Sequence, residues 1–216
     1  MSAAEKLERP PMTFLDFLDH EVKSDVRHEI WDGQLVAMAG ARPEHNDIAG
    51  DLLGELHSRL KDGECRGRGS DQMVYQPFDD KGVYPDVSIA CEPRKFGKDR
   101  NGDDRVLMNP VVVVEVLSAS TYHRDIGIKM EGYLSIESLR AYVVIDPTTP
   151  WVRTVSRTEG GWKLTTETDL DGSLELECLG IAVPLRSFYG SVPLHPRSLI
   201  VKAVSDETPD EVERDA

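Results

Sequence analysis

The strongest constraint on the fold is the run of residues 111–117, which places five valines, one leucine and a single glutamate in succession. β-Branched residues favour strands, and a nearly continuous apolar run is typical of a strand that a sheet buries on both faces. A second apolar run, residues 141–145, is stopped by Pro147. The segment between the two runs has helical character. A strand, a helix and a second strand in this order predict a parallel pair joined by a crossover.

The other segments predict an α/β chain with α+β character, namely a mixed sheet flanked by helices and extended by antiparallel hairpins. Amphipathic stretches indicate helices, and short alternating stretches beside glycine turns indicate hairpins. In chain order the predicted elements are a helix capped by Thr13, a hairpin about Asp32 and Gly33, a helix over residues 43–63, strands near residues 65–78 and 83–91, a charged loop over residues 92–105, and antiparallel hairpins over residues 151–185.

The composition fits a globular protein and argues against a membrane-spanning protein and against non-specific binding to nucleic acid. The chain has 216 residues, of which 39% are hydrophobic, and its apolar runs fall short of the roughly 18 to 20 residues that span a bilayer. The N-terminus lacks the basic-then-apolar order of a secretory signal, which predicts a cytoplasmic location. The formal net charge of −14 opposes non-specific attraction to nucleic acid unless lysine and arginine cluster on one face.

We expect three parts along the chain. Residues 1–12 are predicted to be a flexible N-terminus and residues 13–195 a single domain. Residues 196–216 are predicted to be an acidic, disordered tail, because six acidic residues and one arginine crowd its last twelve positions.

The three cysteines, Cys65, Cys91 and Cys178, lie far apart and form no CxxC pair. Such spacing argues against a disulfide framework and against a structural zinc site. We therefore expect three ordinary thiols.

Glu115 is the first candidate for chemistry. Side chains alternate across a strand, so Glu115 shares a half-apolar face with Val113 and Leu117 near the end of its strand. A carboxylate there must be paired, hydrogen-bonded or bound to a metal. A buried salt bridge or a position at the rim of the sheet are competing interpretations.

Asp86 is the second candidate, because Pro85 removes a backbone donor and forces the next strand to begin there. If that strand pairs beside residues 111–117, Asp86 and Glu115 approach each other and repel unless a cation lies between them. A hard divalent ion such as Mg²⁺ meets that need and can activate a water. A simple turn is the alternative for the Pro-Asp pair.

Lys129 is the third candidate, on a helical stripe with Asp125 and Tyr133. An exposed Asp125–Lys129 ion pair is the plain interpretation. In the functional interpretation, the crossover helix returns over the strand ends and Lys129 offers a cation to developing phosphate charge.

The order of these features resembles the Uma2 family of bacterial proteins, within the PD-(D/E)xK restriction-endonuclease-like superfamily. The resemblance runs from about Thr13 to Ser187 and includes the segments EIWDGQLVAM, PEHNDIAGDL, VVVVEVLSAST, HRDIGIKMEGYL and AYVVIDP. It implies a mixed sheet flanked by helices, in which an aspartate and a glutamate on neighbouring strands bind Mg²⁺ and a lysine assists phosphodiester hydrolysis.

Carried over by position, Asp86 matches the motif aspartate and Glu115 the motif glutamate. The motif lysine would stand at position 117, where this chain has Leu117. The resemblance implies that Lys129 supplies the missing cation. It also implies that Glu29 and His45 line the site, although Glu29 could simply lie on a hairpin face and His45 beside a helix cap.

These features predict an endonuclease, dependent on Mg²⁺ or Mn²⁺, that cleaves nucleic acid through a metal-activated water. DNA is favoured over RNA as the substrate, although the sequence itself does not distinguish the two. Asp86, Glu115 and Lys129 are the predicted catalytic residues, and a homodimer is expected from the frequency of two-fold assemblies. The alternative is a nuclease-fold interaction or regulatory protein with weak or no activity, which the charge of −14 favours. Local basic residues, namely Arg66, Arg68, Arg94, Lys95, Lys98, Arg100 and Arg105, could form a phosphate track if they flank the site.

Overall fold

The fold is known from a computed structural model, which describes residues 12–195 except 32, 33, 39, 119 and 120. The predicted N-terminal segment up to residue 11, the turn at Asp32 and Gly33, and the acidic tail lie outside the described residues. Within them, no helix is long and apolar enough to cross a membrane.

The described residues form five α-helices and fourteen strands. In chain order they are α1 (Phe14–Glu21), β1 (His28–Trp31), β2 (Gln34–Ala37), α2 (Pro43–Leu60), β3 (Cys65–Gly69), β4 (Met73–Gln76), β5 (Lys81–Val83), β6 (Val87–Cys91), β7 (Phe96–Lys98), β8 (Asp104–Leu107), β9 (Val112–Val116), α3 (Tyr122–Ile126), α4 (Ile128–Leu134), β10 (Ala141–Ile145), β11 (Val152–Thr158), β12 (Gly161–Glu167), β13 (Ser173–Leu176), β14 (Ile181–Pro184) and α5 (Arg186–Tyr189).

A six-stranded sheet in the order β12-β11-β10-β9-β6-β3 forms the centre of the molecule. Its two central strands, β9 and β10, are parallel, with Val114 opposite Val143, and the other neighbours are antiparallel. The predicted parallel pair with a crossover is therefore confirmed, and so is the mixed sheet flanked by helices. Both strands are buried along their whole length, as their apolar sequences require.

Alternation along the strands divides the core between the two faces of this sheet. Val112, Val114 and Val116 pack with α2, α5 and the β13–β14 hairpin. Val113 and Leu117 pack on the opposite face with Tyr133 and Tyr142. Glu115 has the same parity as Val113 and Leu117, so its face is the one that α3 and α4 cover.

Several of the predicted elements differ from the observed ones. The predicted strand over residues 65–78 is two strands, β3 in the central sheet and β4 in a second sheet. The segment 92–105, predicted as a loop, contains β7 and the start of β8, which join β4 and β5 in a second, four-stranded sheet. β8 is anchored by Val106 and Leu107, which directly follow this segment and are fully buried. The β11–β12 hairpin extends the central sheet as predicted, whereas β13 and β14 form a separate two-stranded sheet.

The crossover is two short helices rather than one. The break falls at Gly127, where an added Cβ would lie 2.7 Å from the carbonyl oxygen of His123. A residue with a side chain could not adopt this close approach without moving the backbone. Gly127 itself has φ −114° and ψ −115°, outside the helical region.

The prediction of three ordinary thiols is wrong for two of the cysteines. Cys65 on β3 stands directly opposite Cys91 on β6, and the two form a disulfide. The antiparallel register brings together residues that are 26 positions apart, which cysteine spacing could not reveal. Cys178 is a free, exposed thiol.

Candidate active site

Glu115 lies near the carboxyl end of β9 and is almost completely buried, with 4% of its surface exposed. Its Oε1 accepts a hydrogen bond of 2.8 Å from the Tyr133 hydroxyl and lies 2.9 Å from Nζ of Lys129. Both partners project from α4, four residues apart. The crossover therefore returns over the strand end and places a cation against the glutamate.

Lys129 is surrounded by carboxylates. Its Nζ lies 2.9 Å from Glu115, 3.2 Å from Glu29 and 3.8 Å from Asp125. Lys129 is 4% exposed and Asp125 2%, so the interpretation of these two as an exposed surface pair is wrong. The amine is instead the buried centre of an acidic cluster.

Glu29 reaches this cluster from β1 and is itself held by two donors. The Trp31 indole N–H donates to its Oε2 at 3.0 Å, and the Tyr84 backbone N–H donates to its Oε1 at 3.3 Å. The hairpin that carries Glu29 is thus tied to the site through side-chain contacts rather than through the central sheet.

Asp86 lies just before β6, immediately after Pro85. Its Oδ2 accepts a hydrogen bond of 2.7 Å from the Val116 backbone N–H and lies 3.1 Å from Nε2 of His45. Ser88 stands opposite Val113 across β6 and β9, so alternation directs Asp86 and Glu115 to the same face of the sheet. The structure therefore brings together all five residues singled out from the sequence: Glu29, His45, Asp86, Glu115 and Lys129.

Burial and excess negative charge govern the ionisation of the site. Burial, helped by the charges of Asp125, Asp86 and Glu29, raises the pKa of Glu115 well above its ordinary value despite the nearby Lys129. Burial opposes the charge on Lys129, but the surrounding carboxylates outweigh it and raise the pKa of the amine. Both shifts favour the protonated forms, so the amine keeps its charge and the Glu115 carboxyl group ionises less readily than usual.

At the edge of the site, burial and a neighbouring negative charge also act in opposite directions on the pKa of His45. Burial tends to lower the pKa of His45, but the hydrogen bond and charge of Asp86 outweigh it, and the pKa is raised. The His45 and Asp86 side chains are 13% and 15% exposed. They form the side of the site that is nearest to solvent.

The donor set suits a hard divalent ion. Asp86 and Glu115 offer carboxylate oxygens, and Mg²⁺ is commonly held by one or two carboxylates together with water and substrate oxygens. A second positive charge beside four carboxylates and one lysine would also favour the ionised form of Glu115. Among the described residues, three potential metal ligands also converge away from this pair. His20, Glu21 and His28 each place one ligand atom within 4.8 Å of the other two.

Leu117 occupies the position of the motif lysine and is fully buried. It packs in the apolar cluster beneath α4 with Tyr122 and Leu139. The sheet therefore offers no amine at this position, and the amine that contacts Glu115 comes from the helix.

Four basic residues of segment 92–105 form local ion pairs, which leaves less of their charge for a phosphate track. Arg94 pairs with Glu92, Lys98 with Asp104, Arg100 with Asp16 and Asp19, and Arg105 with Asp99 and Asp103. Arg66 donates to the carbonyl oxygens of residues 60, 63 and 65. Five of the seven basic residues singled out from the sequence are thus engaged in local contacts.

Sequence reasoning missed Gln76, which supports the lysine from a different sheet. Gln76 on β4 is fully buried, and its Nε2 donates to the backbone carbonyl of Lys129 at 3.0 Å. Nothing in its local sequence signals this contact. Tyr133 was visible on the stripe with Lys129, but its bond to Glu115 was not.

Gly132 is needed where α4 passes over Gln76. A Cβ at this position would lie 2.3 Å from Oε1 of Gln76. We expect Gly132→Ala to lower the free energy of unfolding by about 1–3 kcal/mol, since the glutamine must move and release the Lys129 carbonyl. Urea unfolding measures the change.

Gly54→Ala is the matched control, because a Cβ on Gly54 in α2 meets nothing within 4 Å. That substitution should stabilise the protein by up to about 1 kcal/mol through helix propensity. Equal stability of the two variants would contradict the packing described for Gly132.

Asp125 gives the site a pH signature in metal-free buffer. Burial raises the pKa of Asp125 from 3.8 to about 6, so between these values the folded protein binds a proton that the unfolded chain releases. The free energy of unfolding should therefore fall as the pH rises through this window, relative to an Asp125→Asn variant, and level off above it. Parallel stability curves for the two proteins across the window would contradict the raised pKa.

The fold is that of a nuclease-like protein of the restriction-endonuclease-like class, as the comparisons with known proteins show. Residues 14–186 match the model of the Uma2 family, which is described as "Putative restriction endonuclease". The chain belongs to this family, as its motifs indicated.

Similar proteins agree with this assignment. The chain is 28% identical over 180 residues to the uncharacterized protein slr1290 of Synechocystis sp., covering 83% of this chain and 92% of that protein. It is 27% identical over 135 residues to the uncharacterized protein sll1609 of the same organism, covering 62% and 75%. Its fold is similar to the crystal structure of "a putative nuclease belonging to DUF820" from Anabaena variabilis, with a TM-score of 0.67 and 15% identity over 83% of this chain and 98% of that one.

Proposed function

We propose that the protein is an endonuclease, dependent on Mg²⁺ or Mn²⁺, that hydrolyses phosphodiester bonds in nucleic acid, with DNA preferred over RNA. Asp86 and Glu115 are the proposed metal ligands, and Lys129 is the proposed catalytic cation. The observation that carries the proposal is the 2.9 Å contact between Lys129 and Glu115 at the end of β9, on the sheet face that Asp86 shares.

Each side chain has a distinct part in this proposal. A bound divalent ion would polarise a phosphate oxygen and lower the pKa of water. Asp86 is oriented for binding by the Val116 N–H and His45, and Glu115 by the Tyr133 hydroxyl. Lys129, fixed by Glu29 and Asp125, offers positive charge to a phosphate as negative charge develops on it.

The direction of substrate approach follows from burial. Glu115 and Lys129 lie inside, while Asp86 and His45 lie nearest to solvent. We therefore place the scissile phosphate on the Asp86 side of the site, where an approaching nucleic acid would first contact the protein. A two-fold homodimer would present two such sites to the two strands of a duplex.

Cleavage assays test the proposal on single- and double-stranded DNA and RNA. We expect cleavage of DNA in Mg²⁺ or Mn²⁺ and its complete loss on adding EDTA, because the carboxylate pair cannot act without the ion. Restoration of activity by excess Mg²⁺ excludes damage by the chelator. Cleavage that persists in EDTA would contradict the proposal.

A nuclease-fold interaction or regulatory protein is the second candidate. The observation that favours it is the engagement of the loop arginines by neighbouring acidic residues in a chain of net charge −14. The ion pairing of the arginines and the negative net charge leave less free positive charge to bind a phosphate backbone. Tight binding of nucleic acid or of a protein without any metal-dependent cleavage would support this candidate over the enzyme.

A further inference from the structure

A second group of metal-type ligands lies where α1 ends and β1 begins. His20 and Glu21 come from the last turn of α1, and His28 is the first residue of β1. One ligand atom from each lies within 4.8 Å of the other two. The three donors therefore converge from two elements that are separated by a short connection.

The carboxylate of this group is fixed in place before any ion binds. The Glu21 side chain is 4% exposed, and its Oε2 accepts hydrogen bonds from the Tyr84 hydroxyl at 3.0 Å and from the His28 backbone N–H at 3.1 Å. These two donors leave Oε1 directed at Nδ1 of His28, 2.8 Å away. Outer contacts of this kind orient metal ligands in proteins.

The histidines complete the set from the solvent side. The rings of His20 and His28 pack edge to face, with 4.9 Å between their centroids. His20 is exposed and His28 partly buried, so an ion can enter without disturbing the core.

We propose that His20, Glu21 and His28 form a binding site for a borderline transition-metal cation such as Zn²⁺. Two imidazole nitrogens and one carboxylate oxygen suit this class of ion, whereas Mg²⁺ and Ca²⁺ prefer oxygen ligands throughout. Water would complete the coordination. The site lies apart from the Asp86–Glu115 pair, but the two are linked, because Tyr84 donates its hydroxyl to Glu21 and its backbone N–H to Glu29.

The ion would fasten α1 to the hairpin that carries Glu29. Metal that binds the folded state and not the unfolded chain stabilises the fold, so Zn²⁺ should raise the melting temperature. This inference does not depend on nuclease activity and is tested by binding alone.

The test uses the full chain without a polyhistidine tag, titrated with Zn²⁺ by calorimetry and with Co²⁺ by visible absorption, in excess Mg²⁺ to occupy oxygen-only sites. We expect one equivalent to bind, with absorption bands typical of nitrogen ligation. His20→Ala should weaken binding at least about tenfold, since even loss of an outer contact to a ligand commonly has such an effect. It should also reduce the rise in melting temperature at a given Zn²⁺ concentration.

His195→Ala is the matched control, because His195 is exposed and is not one of the three ligands. It should bind like the wild type. Both His20 and His195 are exposed, so neither change threatens folding. Absence of Zn²⁺ binding by the wild type, or equal binding by the His20→Ala variant, would overturn the proposal.

Discussion

Replacing Lys129 by methionine should lower the free energy of unfolding by about 3–5 kcal/mol at neutral pH and abolish cleavage. Methionine fills a similar volume but leaves Glu115, Glu29 and Asp125 buried around an apolar side chain. Removing one partner from a buried ionic cluster leaves charge without compensation, which is among the most destabilising changes known for single residues. Loss of cleavage is expected because the proposed catalytic cation is gone.

The stability deficit of Lys129→Met should shrink at acidic pH. Burial already raises the pKa of Glu115 and Asp125, and removing the amine raises both further. Protons can then neutralise the cluster, so the variant recovers stability as the pH falls. Unfolding in urea at several pH values measures this.

Lys163→Met on the exposed strand β12 is the control for the loss of a lysine in general. It should change stability by less than about 0.5 kcal/mol and leave cleavage intact. A Lys129→Met protein as stable as this control would mean that Lys129 is not the buried centre of the cluster.

Replacing Glu115 by glutamine should leave the fold intact and reduce cleavage on the order of 100-fold or more, as loss of a key electrostatic group commonly does. The amide oxygen can still accept a hydrogen bond from the Tyr133 hydroxyl. Lys129 keeps its ion pairs with Glu29 and Asp125. A neutral group also suits a position where burial already disfavours charge. What the variant loses is one of the two proposed metal ligands.

Steady-state cleavage at several Mg²⁺ concentrations measures the effect, with Glu137→Gln on the exposed surface as the matched control. The control should cleave like the wild type. Equal cleavage by Glu115→Gln and Glu137→Gln would show that the reaction occurs at another site or in a contaminant.

The central sheet was predictable because its information is local. Five valines around Glu115 and the run before Pro147 gave a buried parallel pair, and alternation placed Glu115 on the face with Leu117. The helical stripe through Asp125, Lys129 and Tyr133 correctly predicted which side of the crossover helix faces Glu115. It did not predict the break at Gly127.

The features that could not be predicted depend on contacts between segments that are distant in the sequence. Asp86 faces Glu115 only through the pairing of β6 with β9, and Gln76 reaches Lys129 from another sheet. The same is true of the Cys65–Cys91 disulfide. Short strands such as β7 carry too few apolar residues to stand out from a charged loop.

The most direct measurement is the position of bound metal. A crystal soaked in Mn²⁺ and measured at a wavelength that reveals manganese should show an anomalous peak contacting both Asp86 and Glu115, with the Lys129 amine beside it. The peak should disappear in crystals of Glu115→Gln. No peak at Asp86 and Glu115, or a peak at His20, Glu21 and His28 alone, in a protein that cleaves nucleic acid with Mn²⁺ would contradict the proposed site.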